Sequence, residues 1–253
     1  MSLTTTARHE AILGELDRAG SVRVTDLAAR LAVSVPTIRR DLVALAGRGR
    51  LRKVHGGAVA GARGAGATPG VGPVASSPLA RAAVALLAPD DAVAVVGGAG
   101  VPGIARAIVD DARLRPLTVV TTSLPAALVL AQAGDRRLAT VVPGGEHRGE
   151  GVLSGAVTEE NLAGLHVGTA IVECAGIGAD GRVTARSMSE AATFDVVRRR
   201  ARRTIVVVAR DRVGRPGLAR WASLDDVDVV VVEGPLDPPQ TAVLAGTRVV
   251  VAA

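Results

Sequence analysis

Two groups of residues in this 253-residue chain have the types and spacing to do chemistry. In the first, Ser34, Thr37, Arg39 and Arg40 fall within two helical turns. Arg48, Arg50, Arg52, Lys53 and His55 follow in "RGRLRKVHGGAV". A guanidinium fork can grip guanine O6 and N7 or a phosphate, and a hydroxyl beside the free amides of a helix start can hold a nucleic-acid backbone. The second group is "VVGGAGVPG", where Gly98, Gly100 and Gly103 make a G-x-G-x-x-G after an apolar run and before a helical pattern. That spacing admits three readings: a dinucleotide site, a phosphorylated-sugar site, or a tight turn that binds nothing.

The elements that must position the first group are legible from periodicity. A helix is predicted over about Thr5 to Ala19, with Ile12, Leu16 and Ala19 on one face and Gly20 as its stop. After "SVRV", Thr25 is expected to cap a second helix, "DLAARL", with Leu27 and Leu31 inward. Ser34 is expected to cap a third, "VPTIRRDLVALA", with Pro36 in its first turn. On that third helix Val35, Ile38, Leu42 and Leu45 share one side, while Arg40 points nearly opposite with Thr37 and Arg39 on its flanks. Three short helices with a tight turn between the last two predict a helix-turn-helix. The basic stretch behind it predicts a hairpin wing whose Arg48, Arg50, Arg52 and Lys53 neutralise phosphates.

Downstream the period changes. The runs "AVAVV", "LTVVTT", "LATVVP", "TAIVEC", "TIVVVA", "DVVVVE" and "TRVVVA" alternate with helix-compatible stretches such as "GIARAIVDDA" and "SEAATFDVVRRRAR". Strands apolar on both faces and separated by helices predict a doubly wound, mostly parallel α/β domain. Between the two patterns lies "AVAGARGAGATPGVGPVASS", dominated by Gly, Ala and Pro. The expected organisation is therefore a DNA-binding domain at 1–57, a linker at 58–76 and a larger domain at 77–253.

Charge divides the same way. Residues 1–60 hold ten Arg or Lys against five Asp or Glu, whereas the remainder holds 20 against 19, so a polyanion is expected to meet the N-terminal segment. One Trp, one Phe and no Tyr leave almost no platform for base stacking. No apolar run reaches the roughly 20 residues of a membrane span, and the N-terminus lacks a signal-like apolar region. A single cysteine, Cys174, allows no internal disulfide and no thiolate metal cluster. The expectation is a cytoplasmic protein with no membrane association, no cofactor and no metal.

The line "VTDLAARLAVSVPTIRRDLVALAGRGRLRKVHGGAV" closely resembles the winged helix-turn-helix of the DeoR family of bacterial sugar-metabolism regulators. The matching residues are Val33, Ser34, Thr37, Ile38, Arg39, Arg40, Asp41, Leu42, Leu45, Gly49, Leu51, His55, Gly56, Gly57 and Ala58. The resemblance implies a DNA-binding repressor that is modulated by a phosphorylated sugar intermediate, binds a double-stranded operator and forms a homo-oligomer.

It also implies a sensor domain with a fold like that of ribose-5-phosphate isomerase. The family's loop "DSGTT" is represented here by Val96, Gly97, Gly98, Ala99 and Gly100, without its hydroxyls. "VVTTSLPAAL" keeps Thr121, Thr122 and Ser123, and "VVPGGEHRG" keeps Gly144 and Gly145. "VECAGI" resembles "GADGI" with Ala175 in place of the Asp, "SEAATF" resembles "EEA-x-x-K" with Phe194 in place of the Lys, and Arg210 stands where another Asp is common. Gly97, Gly98, Ala99, Gly100, Thr122, Ser123, Gly144, Gly145 and Glu146 are the candidate effector residues. With the polar kit depleted, two readings stay open: a ligand that depends less on phosphate, or a sensor domain that serves assembly.

The remaining features are weighed against plainer readings. A dinucleotide site wants an acidic residue about 20 positions on, yet the second strand ends "VVTTS". "RRRARR", Arg198 to Arg203, reads as a solvated helix C-terminus, Asp180 and Gly181 as a turn, Cys174 as core filling and His147 as an exposed loop residue. An isomerase of similar fold would want a carboxylate facing a lysine. Glu173 and Glu190 are candidate bases, but the only lysine is Lys53, in the wing.

Overall fold

Where apolar residues recur every three to four positions, the N-terminal segment is helical. The computed structural model describes residues 5–19, 21–31, 33–47, 51–54, 56–60, 74–89, 92–147 and 151–252. The first elements are α1 (Thr5–Ala19), β1 (Ser21–Arg23), α2 (Val24–Arg30), α3 (Val35–Gly47), β2 (Leu51–Val54) and β3 (Gly57–Ala60). The three strands form an antiparallel sheet in the order β1-β3-β2. Ile12 and Leu16 of α1, Leu27 of α2, Ile38, Leu42 and Leu45 of α3, and Leu51 and Ala58 of the hairpin make one core, with Leu31 and Val35 partly buried against it.

Two expectations are corrected here. Thr25 is not a cap: α2 begins at Val24, Arg23 precedes it without a side-chain cap bond, and the Thr25 hydroxyl donates to Asp26 at 3.1 Å. Val24 is itself buried, and its amide donates to the Gly56 carbonyl at 3.0 Å, so the hairpin supplies the acceptor. The linker also begins later than Ala58, because Ala58 is fully buried in β3 and residues 58–60 belong to the hairpin.

Asp41 faces the opposite way from its neighbours Arg39 and Arg40. Its carboxylate is buried beneath α1, where it accepts from Arg8 Nε at 2.6 Å and Nη2 at 3.1 Å and lies 3.1 Å from His9 Nε2. Burial works to raise the pKa of this carboxyl. The hydrogen bonds from Arg8 and His9, with their electrostatic pull, outweigh it and hold the group below the ordinary carboxylate range.

The chain divides into two compact units, Met1–Thr68 and Pro69–Ala253. The second contains α4 (Pro78–Val84), β4 (Ala92–Val96), α5 (Val101–Asp110), β5 (Leu117–Thr121), α6 (Leu124–Gln132) and β6 (Leu138–Val141). A short hairpin, β7 (Glu146–His147) with β8 (Leu153–Ser154), leads to α7 (Ala156–Ala163), β9 (Val167–Glu173), β10 (Gly176–Gly178), β11 (Arg182–Ala185) and α8 (Met188–Arg200). The chain ends with β12 (Ala201–Val208), β13 (Val213–Gly214), β14 (Ala219–Ser223), β15 (Val229–Glu233), α9 (Pro238–Val243) and β16 (Val249–Ala252).

All seven predicted apolar runs enter one parallel sheet, ordered β16-β15-β12-β9-β4-β5-β6. Successive side chains alternate between its faces. Val93, Val95, Ile171, Ile205 and Val207 pack with α4, α5 and α6 on one side. Ala94, Val96, Val172, Val206 and Val208 pack on the other with α8 and a second sheet, β13-β10-β11-β14. That second sheet was not anticipated. Its strands are two to five residues long, and the β10–β11 turn at Asp180 and Gly181 is its one element the sequence reading marked.

Phe194 of α8 is buried edge-on against Trp221 of β14, with ring centroids 5.7 Å apart. "RRRARR" is not a helix end throughout: α8 stops at Arg200 and passes directly into β12. Arg198 pairs with Asp195 and Asp226, and Arg203 Nη1 donates to the Leu86 carbonyl at 3.0 Å. Val74 also packs against the large core, so the C-terminal end of the expected linker is structured from there on. Among the described residues no helix is long and apolar enough to cross a membrane.

Asp41→Asn removes the carboxylate charge that holds Arg8 Nε at 2.6 Å beneath α1. It is expected to destabilise the N-terminal unit, read as faster amide exchange across 35–47 in the full chain. Because the folded pKa of Asp41 is depressed, its contribution is complete above the ordinary carboxylate range and is lost as pH falls through that range toward the lower folded value. The wild-type chain should therefore lose protection in α3 on acidification, and the variant should lose less.

Candidate nucleic-acid interface and ligand crevice

The helix-turn-helix presents the predicted face. Arg39 and Arg40 are exposed, as are Pro36, Val43 and Ala44, while Thr37 is half-buried. Ser34 starts the helix as expected: its carbonyl accepts from the amides of Thr37 and Ile38, its Oγ lies 2.8 Å from Thr37 Oγ1, and the Thr37 amide reaches Ser34 Oγ at 3.4 Å. Arg52 and Lys53 are in β2, the first strand of the wing. Arg48, Arg50 and His55 lie outside the described residues.

Two glycines shape the wing. Gly56 has φ 79°, a conformation that side chains with a Cβ rarely adopt. Gly57 sits against β1, where a Cβ would lie 2.1 Å from the Val22 carbonyl oxygen. The "HGG" stretch thus combines a left-handed turn with the contact that seals the hairpin onto the rest of the unit. Asp41 is the residue of this interface whose role the sequence did not reveal. Its fixed spacing in the motif was visible, but its partner Arg8 is 33 positions away.

In the second unit the candidate effector residues all fall at the C-terminal edge of three neighbouring strands, β4, β5 and β6. The chain runs β4, β5, β6 in one direction and then crosses to β9 on the other side of β4. The crevice between β4 and β9 is therefore the switch point where doubly wound sheets place ligands. That crevice is filled from within. Glu173, the last residue of β9, directs its carboxylate into the loop before α5, where Oε2 accepts the Gly100 amide at 2.8 Å.

The glycine spacing has a local cause. A Cβ at Gly97 would lie 2.5 Å from the Glu173 carbonyl oxygen, and one at Gly100 2.9 Å from Glu173 Oε1. Gly98 faces the same carboxylate at 3.4 Å, and Gly103 faces the Ala75 carbonyl instead. Ala99 is exposed. Burial pushes the Glu173 carboxyl above its ordinary pKa; the amides of Gly100, Val101 and Gly98 and the charge of Arg186 pull it partly back. From sequence alone Glu173 is only a candidate base. The signal was its place at the strand end beside the loop, where the motif "GADGI" has a glycine.

The other stations are less open than expected. Ser123 is buried and caps α6, accepting the Ala126 amide at 3.3 Å. Thr121 Oγ1 donates to the Val95 carbonyl at 2.7 Å. Thr122 is fully buried, and its hydroxyl has no hydrogen-bond partner among the described residues. Residues 151–153 cover this strand end, with Leu124 donating to the Gly151 carbonyl and Leu153 to that of Thr122. The loop at Gly144 and Gly145 is pinned by α7, where Thr158 Oγ1 donates to the Gly144 carbonyl and Asn161 Nδ2 to that of Pro143, each at 2.7 Å. Glu146 and His147 are exposed, and His147 Nε2 accepts the Gly151 amide.

Cys174 is buried in the core with its thiol pushed up to about 12, as filling and not as a nucleophile. An open groove of about 680 Å³ at the far end of the same sheet edge, lined by Arg210, Arg215, Glu233, Asp237 and Gln240 among others, was not anticipated.

Residues 8–63 match the family model described as the DeoR-like helix-turn-helix domain, and residues 76–234 match that of the DeoR C terminal sensor domain. The glycerol-3-phosphate regulon repressor of Escherichia coli (strain K12) is 27% identical over 240 residues, 92% of each chain. The L-fucose operon activator of Haemophilus influenzae is 26% identical over 229 residues, 88% of this chain and 90% of that one. Among solved structures, ribose 5-phosphate isomerase A from Methanocaldococcus jannaschii aligns at 14% identity over 53% of this chain and 52% of that one, with a TM-score of 0.40.

Gly57→Ala tests whether the wing depends on its contact with β1. The added methyl overlaps backbone, which cannot swing aside, and is expected to cost about 2 kcal/mol or more. Amide exchange across 51–60 should rise while the second unit's exchange is unchanged.

Proposed function

The chain belongs to the DeoR family of transcriptional regulators, and from that premise we propose that it is a sequence-specific repressor of a sugar or carbohydrate operon, acting in the cytoplasm. Residues 1–57, with β3, form the DNA-binding domain in this reading. Residues 77–253 bind a small metabolite and assemble the homo-oligomer. The observation that carries the proposal is the division of labour along α3, where Arg39 and Arg40 are exposed while Ile38, Asp41 and Leu42 are buried.

Thr37, Arg39 and Arg40 are proposed to enter the major groove, with Ser34 at the backbone and Arg48, Arg50, Arg52, Lys53 and His55 along the flanking phosphates. Gly97, Gly98, Ala99, Gly100, Thr122, Ser123, Gly144, Gly145 and Glu146 frame the proposed effector crevice. The relatives named for a glycerol-3-phosphate regulon and a fucose operon support a carbohydrate target. An isomerase reading has no support in the matched domains, and the chain's only lysine, Lys53, lies in the wing.

Two recognition helices of a dimer would address half-sites about 34 Å apart, so inverted or repeated half-sites are expected in the promoter region of the regulated operon. Binding to that DNA, measured by anisotropy at two salt concentrations, is the test. Absence of a salt-sensitive, sequence-preferring complex rejects the proposal. Arg40→Ala should weaken specific binding by about 1–3 kcal/mol and relax the preference at one base position, whereas Lys53→Ala should weaken all sequences alike and reduce the salt slope by about one.

A further inference from the structure

We propose that the Glu173 carboxylate is an internal anion seated in the cradle before α5, and that it makes the sensor crevice select a ligand without a phosphate group. The inference rests on the reading of the second unit as a ligand sensor and specifies the chemistry of its ligand.

The argument begins with what the loop offers. A chain turning from β4 into the ten-residue α5 exposes amides that no helix carbonyl satisfies, and such amides attract an anion. Here the anion is covalently part of the protein. Glu173 Oε2 takes the Gly100 amide at 2.8 Å, and Oε1 stands where a Cβ on Gly100 would clash. Three glycines in the loop, Gly97, Gly98 and Gly100, are each within 4 Å of Glu173 when given a Cβ, so loop and side chain fit as one unit.

The loop itself supplies no side-chain donor. Val96, Gly97, Gly98, Ala99 and Gly100 carry no side-chain hydroxyl, so the loop offers an incoming phosphate backbone amides alone, and Glu173 already draws on those of Gly100, Val101 and Gly98. A phosphate entering here must expel the carboxylate and then lie beside a second negative charge, which opposes binding twice. A neutral ligand incurs neither cost. The nearby Arg186 does not reverse this, because its guanidinium is engaged by Glu190 at the start of α8.

The test uses the full chain with inorganic phosphate and glycerol 3-phosphate as probes, against chloride at matched ionic strength. Without any ligand, the amides of Gly98, Gly100 and Val101 should already be protected from exchange, and neither phosphate probe should raise the melting temperature or alter that protection. Glu173→Gly should unprotect the three amides and bind the phosphate probes about tenfold or more tightly than wild type, restoring the protection as it does so.

Glu173→Gln keeps the shape and guards against a folding defect in the glycine variant. It should also gain phosphate affinity, by less. Phosphate binding by the wild-type chain at these amides, or folded variants that gain none, overturns the inference. Failure of the sensor reading looks different: a variant that takes phosphate at 98–101 while operator binding stays indifferent to every ligand tried leaves Glu173's exclusion of anions intact and removes its regulatory meaning.

Discussion

A parallel sheet covered on both faces leaves its strand ends as the places where chemistry can be done. Along β4, β9, β12 and β15 almost every side chain is committed to one of two cores, so no interior position is available to a ligand. The loops at the C-terminal edge inherit the task, and the crossing from β6 back to β9 decides where among them a crevice opens. That crossing brings the end of β9 beside the loop after β4, and the residue found there is Glu173. The sheet's topology and the occupancy of its crevice are one fact seen at two scales.

The N-terminal unit solves a different problem with less material. Its core is about ten apolar residues, and α3 must both close that core and present cations to a polyanion. A carboxylate in the middle of the same helix would weaken the second role if it faced outward. Pairing Asp41 with Arg8 beneath α1 removes the negative charge from the outer face and anchors the first helix to the third. The exposed side of α3 keeps two arginines and, among the residues described there, no acid.

Most of this architecture was legible. Continuous apolar runs located all seven strands of the large sheet, and 3.6-residue spacing located α1 and α3. Reading failed where the determining partner is distant in sequence. Thr25 looks like a cap, but the acceptor for Val24 comes from Gly56 in the wing. The pairing of residues 151–153 with the end of β5 was hidden for the same reason, being set by chain about 30 positions on. The small sheet escaped notice because strands such as Gly176–Gly178 are too short to show a period. Phe194 was noticed as a departure from a polar position, yet only the fold reveals that Trp221 gives it a partner in the core.

That aromatic pair also makes the molecule unusually simple to watch. With no tyrosine in the chain and a single indole at Trp221, all of the intrinsic fluorescence originates in the second unit. Its chromophore is buried against Phe194, and its N–H has no hydrogen-bond partner among the described residues. Emission will therefore shift when the α/β unit opens. The chain carries an optical label on one of its two units only, so ordinary spectroscopy can follow the opening of that unit without attaching a dye.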